Sequence, residues 1–529
     1  VSILFSLLKD LLIPRKPQQV NPRLIQASRV AEKIDELMEL VAANPGRADL
    51  LFNLGVALMA QDPDKAFDCY RQAVAVDPRY YPARINILHQ LQHRCEWSDL
   101  KPAIQKFRKI VREGPATSKT QLSPFIFLTL PGTTPHEQKR CAEKFIQIEC
   151  PPQIVFSLRN KLGFDSNRLP DEKIRIGYLS EDFRQHPVTY QMVEIIERHD
   201  RSRFHITAFS YGPDDESPIR KRIEKAFDSF VDITDKNHEE TAREIYSRHI
   251  DILVDLTGYT GGTRSAMLAL RPAPVQVNFL GYPGTLGADF VDYLIADRFV
   301  IPSELQRFYT EKVVWLSDCF MPNDRSRPQP SAPSRVECGL PENGFVFCCF
   351  NLSYKFTPDM FDIWCRLLKS VPDSVLWLSA SNPIAEANLR REAESRGVSA
   401  ERIIMANRLE KIEAHLARLQ CADLFLDTLP YNAHASCSDA LWMGLPVITC
   451  AGETFPSRVA GSLLTTMGVP ELITYNLDDY YKLALDLATD RHRLDSIRSK
   501  IVANRDSTPL FDSEKFTRNL EQAYIRMIS

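Results

Sequence analysis

Between Asp427 and Pro446 the chain reads DTLPYNAHASCSDALWMGLP. The apolar run Leu424-Phe425-Leu426 before it predicts a buried parallel strand, Pro430-Tyr431-Asn432 a turn, and Ser436 to Met443 a short helix with Ser and Asp in its first turn. Strand, tight loop and helix N-terminus in that order suit an anion. Free backbone N–H groups and the positive end of the helix dipole converge on one point, with the Ser436 hydroxyl as an extra donor. His434 lies on the loop facing the same space, and Asp439, one turn on, can accept from a sugar hydroxyl such as a ribose's. This is the chemistry of the phosphate end of a nucleotide-sugar site. A capped strand-loop-helix of any α/β domain shares the pattern, so other parts of the chain must decide.

Three further loops follow apolar runs. Ser180-Glu-Asp182-Phe-Arg-Gln185-His186-Pro187 sets a carboxylate and an imidazole four apart, where a base and its orienting group could meet; a solvated loop fits equally. Gly258-Tyr-Thr-Gly-Gly262 and Gly281-Tyr282-Pro283-Gly284-Thr285 offer glycines that let a ligand or acceptor backbone come close, a weak signal because such turns are common. Phe350-Asn-Leu-Ser-Tyr354-Lys355 delivers a lysine beside a helix start, a candidate clamp for charge building on a diphosphate leaving group. Gly452 to Arg458 can close the floor of the pocket, and His415, on a predicted helix Ile412 to Leu419, can flank a base or ribose. His136 opens a helical pattern running to Phe145; a lone histidine there is more often structural. No His/Cys/Asp/Glu spacing suggests a metal, and a site built on a lysine and a helix N-terminus has less need of one.

The elements that must hold these loops change along the chain. Residues 1–114 read as helical, with Asn44-Pro45 and Asp77-Pro78 ending helices 33 residues apart and Phe52-Asn-Leu54-Gly55 giving small and large positions between. This resembles tetratricopeptide repeats, which offer a groove to extended peptides; a plain helical cap fits as well. Residues 115–170, punctuated by prolines, read as a connector packed on the following domain. From 171 to 330 continuous apolar runs (Ile174 to Ser180, Phe204 to Ser210, Ile250 to Leu256, Val275 to Leu280, Tyr293 to Ile301) alternate with helical stretches. A second series fills 331–529 after the proline-rich Pro322 to Pro333: Phe345 to Phe350, Ser374 to Ser379, Arg402 to Ala406, Leu424 to Leu426 and Val447 to Cys450. The fold class is α/β, two tandem Rossmann-like domains whose ligand lies at the C-terminal edges of the strands.

Composition narrows the rest. A formal charge of −3 over 529 residues gives no broad basic field, so nucleic acid is not expected as a partner. Twelve cysteines without Cys-x-x-Cys pairs suggest a reducing, cytoplasmic setting. The run Ile3 to Ile13, broken by Lys9-Asp10, is too short for a membrane span and lacks signal-peptide features; the start at Val1 leaves room for a missing N-terminal portion.

DFRQHP, LRPAPVQVNFLGYPGT, FNLSYK, YNAHASCSDALWMGLP and GETFPSRVAGSLL, in that order from about residue 120 onward, resemble the O-GlcNAc transferase family, particularly its bacterial members. The resemblance implies a GT-B fold, UDP-GlcNAc as donor, inversion at the anomeric carbon, no metal or other cofactor, and Ser or Thr hydroxyls of proteins as acceptors reached through the repeat groove and the interdomain cleft. On it, the family's active-site histidine falls on His186 with Asp182 beside it, and the diphosphate lysine on Lys355 after Tyr354. The phosphate loop falls on His434-Ala435-Ser436, the ribose aspartate on Asp439, a nucleotide-side histidine on His415 and a cleft histidine on His136. Lys411 matches a uridine-contacting lysine across a one-residue insertion, and Gly281 and Pro283 belong to the shared cleft loop. Two departures, Ala435 for a hydroxyl donor and Leu352 for a glutamine of the animal enzymes, imply weaker donor binding. The plant SPINDLY proteins, which share Leu316-Ser-Asp-Cys-Phe320 features, raise GDP-fucose as an alternative donor; a non-catalytic nucleotide-sugar-binding scaffold is the other alternative.

Overall fold

The computed structural model describes residues 22–165, 173–379 and 382–529. The run Ile3 to Ile13 and the expected boundary near residue 170 lie outside them. Helices Pro22–Ala43, Ala48–Leu58, Pro63–Val76, Tyr81–His93 and Leu100–Glu113 come first. The first and third stop just before Asn44-Pro45 and Asp77-Pro78, as a proline that cannot continue a helix requires. Gly55 is needed where it stands, because a Cβ there would lie 2.6 Å from the Tyr70 ring, and the pair it brings together buries Leu51, Ala66, Tyr70 and Ala73. The helix Tyr81–His93 ends against the second α/β unit: the His93 carbonyl accepts from Ser353 Oγ at 2.7 Å and from Asn382 Nδ2 at 3.0 Å.

Pro135–Glu149 starts with a capping box, Thr134 and Glu137 each bonding the other's backbone N–H. With Pro124–Leu128 and Pro152–Leu162 it packs on the first sheet, Leu128, Ala142 and Ile146 meeting Leu179, Phe209 and Leu253.

That sheet holds β1 Ile174–Ser180, β2 Phe204–Ser210, β3 Ser229–Asp232, β4 Ile252–Asp255, β5 Val275–Asn278, β6 Tyr293–Asp297 and β7 Lys312–Leu316 in the order β3-β2-β1-β4-β5-β6-β7. The second holds β8 Val346–Cys349, β9 Val375–Ser379, β10 Ile403–Ala406, β11 Leu424–Leu426, β12 Val447–Cys450 and β13 Ile473–Thr474 in the order β10-β9-β8-β11-β12-β13. Every pairing is parallel. In each sheet the order reverses beside the first strand, between β1 and β4 and between β8 and β11, and a crevice opens there at the strands' C-terminal ends. β1, β2, β11 and β12 fall where their apolar runs predict. β3, β7 and β13, which the sequence reading omits, are edge strands; β3 and β7 are half-exposed and β13 is two residues long, so none carries a continuous apolar run. The last helix, Ser513–Ile528, does not stay with the second sheet but returns to the first, where Tyr524 Oη meets Tyr178 Oη at 3.0 Å and Glu521 meets His199 at 3.1 Å. One buried core consequently runs from Ile176 and Tyr178 to Phe347 and Leu426.

Candidate active site

The two C-terminal edges face each other: Gln185, after β1, donates through Nε2 to the Glu410 carbonyl, after β10, at 3.2 Å. On the second unit β11 ends in Asp427, whose buried carboxylate is held by the amides of Thr428 (2.7 Å) and Ala433 (2.5 Å), by Asn351 Nδ2 (3.4 Å) and by Thr449 Oγ1 (2.6 Å). These bonds fold residues 428–433 into a tight loop and deliver the helix Ala435–Trp442, of which His434 is the cap residue. The Ser436 hydroxyl donates to Asn351 Oδ1 at 2.6 Å, so it stands between the β8 and β11 loops.

Lys355 follows β8 on the short turn Ser353–Lys355 and is buried. Its Nζ donates to the Asn432 carbonyl at 2.9 Å and lies 4.3 Å from the centre of the Tyr431 ring. Burial lowers its pKa and raises that of Asp427; each charge partly restores the other's ionised form. His434 stacks on Tyr431 at 4.8 Å and its Nε2 meets the Pro456 carbonyl at 3.3 Å, so the Gly452–Arg458 segment does floor the loop. Burial first, then Lys355, hold His434 neutral. A lysine, a hydroxyl and the amide end of an eight-residue helix thus lie on neighbouring loops, with the Asp427 carboxylate buried behind them, and donors in that arrangement suit an anion.

Asp439, one turn into that helix, accepts at Oδ1 from Arg327 Nη1 at 2.8 Å and keeps 19% of its side-chain surface open. Its charge also reaches His415, whose pKa burial lowers and Asp439 raises. His415 Nδ1 lies 2.9 Å from Arg418 Nη2 and its ring is edge-on to Phe350 at 6.0 Å. Lys411 is exposed at the start of the helix Ile412–Leu419, which carries His415, on the lip beside Glu410.

Other residues stand differently from the sequence reading. Asp182 and His186 do approach, but at 3.4 Å, longer than a good N–H···O bond, and His186 Nδ1 instead accepts from the Val188 amide at 3.3 Å, capping the helix Pro187–Arg198. Burial lifts Asp182 to about 6, and burial with Arg184 brings His186 down to about 4. Tyr354, although adjacent to Lys355, turns into an aromatic cluster with His89, His93, Phe125 and Tyr431, at 5.1, 5.0, 6.3 and 6.2 Å, between the helical region and the second unit. His136 is exposed with Phe308 as ring neighbour at 6.5 Å. At Gly281 a Cβ would sit 2.0 Å from the Leu256 carbonyl, so strand-end packing itself requires the glycine, and Pro283 is buried. Leu352 is 52% exposed. Asp427, Asn351 and Arg327 carry the site without having been singled out; the strand-final position of Asp427 was the available signal. Among the described residues no group of three or more His, Cys, Asp or Glu side chains is placed to hold a metal.

Two facing parallel-sheet units with the last helix returning to the first define the GT-B class, and the loops at the strand ends of the second bring Lys355 and Ser436 near the start of Ala435–Trp442, with Asp439 one helical turn on. The model of glycosyl transferase family 41 matches residues 94–330 and 328–520, and the chain belongs to that family. It is 33% identical over 459 residues to an Arabidopsis thaliana protein named "Probable UDP-N-acetylglucosamine--peptide N-acetylglucosaminyltransferase SEC", covering 83% of this chain and 46% of that one. It is 31% identical over 373 residues to the SPINDLY protein of the same plant, which carries the same enzyme name, covering 69% and 40%. A structure of a lysine-to-methionine mutant of the Thermobaculum terrenum O-GlcNAc transferase superposes with a TM-score of 0.76 at 27% identity, covering 94% of each chain. The chain spans less than half the length of these curated plant relatives.

Proposed function

We propose that this chain is an inverting, metal-independent glycosyltransferase that moves N-acetylglucosamine from UDP-GlcNAc to Ser or Thr hydroxyls of proteins. The observation that carries the reading is Lys355 beside the N-terminus of Ala435–Trp442, in a crevice between β8 and β11. The names of the relatives support the donor and the acceptor class.

In this reading the oxygen of the acceptor hydroxyl forms a bond to the anomeric carbon from one face while the bond to the diphosphate oxygen breaks on the other, and the hydroxyl's proton is taken up by the departing diphosphate or by water. Lys355, Ser436 and the amides of Ala435 and Ser436 offset the charge gained by the departing diphosphate. His434 closes the loop beneath it, and Asp439, with His415 and Lys411 near, receives the nucleoside. His186, with Asp182 beside it, positions the acceptor hydroxyl, and His136 and the loop of Gly281 and Pro283 frame the rim. The lysine and helix supply the positive charge a cation would bring. The helices from Pro22–Ala43 to Leu100–Glu113 form the repeat region that guides acceptors, those from Pro124–Leu128 to Pro152–Leu162 the connector, and the two sheet units the catalytic pair. Among the described residues no helix is long and apolar enough to cross a membrane, and all twelve cysteines are free; the free thiols support a cytoplasmic setting.

The test is sugar transfer from UDP-GlcNAc to a panel of Ser/Thr peptides, with GDP-fucose and a chelator as parallel arms. Transfer from UDP-GlcNAc that survives chelation is expected. Transfer only from GDP-fucose, or loss with chelator, overturns donor or metal independence respectively.

A further inference from the structure

The segment joining the two sheets is more than a linker. Arg327 lies in it, buried, with its guanidinium 5.1 Å from the Trp442 ring centre and 5.3 Å from that of Phe511. Its donors are fully directed. Nη1 bonds Asp439 Oδ1 at 2.8 Å, Nη1 and Nη2 reach Ser438 Oγ at 3.3 and 3.2 Å, Nη2 reaches Asn323 Oδ1 at 3.3 Å, and Nε bonds the Asp324 carbonyl at 3.1 Å. The other end of the segment is tied to the first unit: Arg222 Nη1 pairs with Asp324 Oδ2 at 2.5 Å, and the Arg325 amide donates to Glu194 Oε2 at 2.6 Å. A strap therefore runs from the first unit's helices to the Asp439 carboxylate of the second unit.

We infer that Arg327 is a positioning residue for nucleoside recognition: by fixing Oδ1 of Asp439 it presents Oδ2 in a set orientation to a ribose hydroxyl, so that preference for ribose over deoxyribose depends on it. This rests on the reading of Asp439 as the ribose-binding group. A planar fork wedged between two rings and bonded to four groups has one orientation, and an aspartate bonded to it loses its own rotational freedom. Without the fork, Asp439 turns about its side-chain bonds and accepts from water instead, and a hydroxyl gains less by reaching it. Ser438 and Asn323, which also bond each other, hold the fork from the far side.

The experiment measures affinity for UDP, 2′-deoxy-UDP and 3′-deoxy-UDP by titration calorimetry on the wild-type chain, Asp439→Asn, Arg327→Met and Arg327→Lys, with thermal melts alongside. The wild type is expected to prefer UDP over one deoxy analogue by roughly tenfold, and Arg327→Met and Asp439→Asn to reduce that ratio to within twofold while analogue affinity changes little. Arg327→Lys keeps the charge and loses the fork; it guards against an unfolded Met variant and should give an intermediate ratio. Equal weakening toward all three nucleotides, or an unchanged ratio in a folded variant, overturns the positioning role. A wild type that binds UDP without preferring it overturns the ribose role of Asp439 and this inference with it, whereas a wild type that binds no UDP overturns the nucleotide reading beneath both.

Discussion

Replacing Lys355 with alanine separates a chemical role from a structural one. On the structural side the substitution removes the bond to the Asn432 carbonyl, worth about 1 kcal/mol net, and the contact over Tyr431, worth about 1–2 kcal/mol when desolvated. Against this, a cation whose pKa burial lowers no longer has to be kept charged in the core, and Asp427 retains its bonds from Thr428, Ala433 and Thr449. The fold should lose roughly 1–2 kcal/mol, a small part of the stability of a chain with so continuous a core. On the chemical side, removing one preorganised donor from a developing anion costs about 10²–10³ in kcat, or about 3–4 kcal/mol. Because the charge builds only as the diphosphate departs, kcat and kcat/KM should fall together. The assay is sugar transfer or UDP release under saturating donor, with circular dichroism melts on the same preparations. A folded Lys355→Ala variant turning over within about threefold of wild type would refute the argument.

Ser436→Ala deletes a donor that spans the β8 and β11 loops through Asn351. It should weaken UDP binding by about threefold to tenfold, about 0.5–1.5 kcal/mol, in a calorimetric titration. Gly281→Ala sets a Cβ 2.0 Å from the Leu256 carbonyl, an overlap only backbone movement can relieve, so a melt should show a loss of about 1–3 kcal/mol. Acid should open the junction between the helical region and the second unit. Burial lowers His93 to about 4, so the unfolded chain takes up its proton first; stability is full above about pH 6.5 and drains away as pH falls toward 4, by about 2 kcal/mol at pH 5 for this one group. Limited proteolysis at pH 7 and pH 5 checks it, and His93→Asn should flatten the difference.

Strands covered on both faces were legible because their whole length is apolar: Ile174–Ser180 and Leu424–Leu426 needed no partner to be read. Lys312–Leu316 was not, since an edge strand shows one face to water and its pattern of Lys312, Trp315 and Leu316 matches no template. The anion site was legible because strand, loop and helix start are contiguous. Arg327 was not, because its partner Asp439 is 112 residues away and its own surroundings, rich in proline, read as a boundary. The surroundings of Tyr354 were not legible from its place beside Lys355: on the turn Ser353–Lys355 successive side chains diverge, sending the lysine to Asn432 and the tyrosine to His89 and His93. The spacing of Asp182 and His186 brings them to 3.4 Å, while the cap that His186 Nδ1 offers to the Val188 amide at 3.3 Å needed the following helix to be seen.

The cleft is proposed to transfer a sugar from a uridine donor to protein hydroxyls. The most direct measurement is mass spectrometry of Ser/Thr peptides after incubation with the purified chain and UDP-GlcNAc, beside a GDP-fucose arm and the Lys355→Ala control. A gain of one N-acetylhexosamine, absent in the control and in the GDP-fucose arm, is the predicted result. UDP bound tightly with no modified peptide and no UDP released from UDP-GlcNAc would contradict it and favour a scaffold that holds the nucleotide sugar without turning it over.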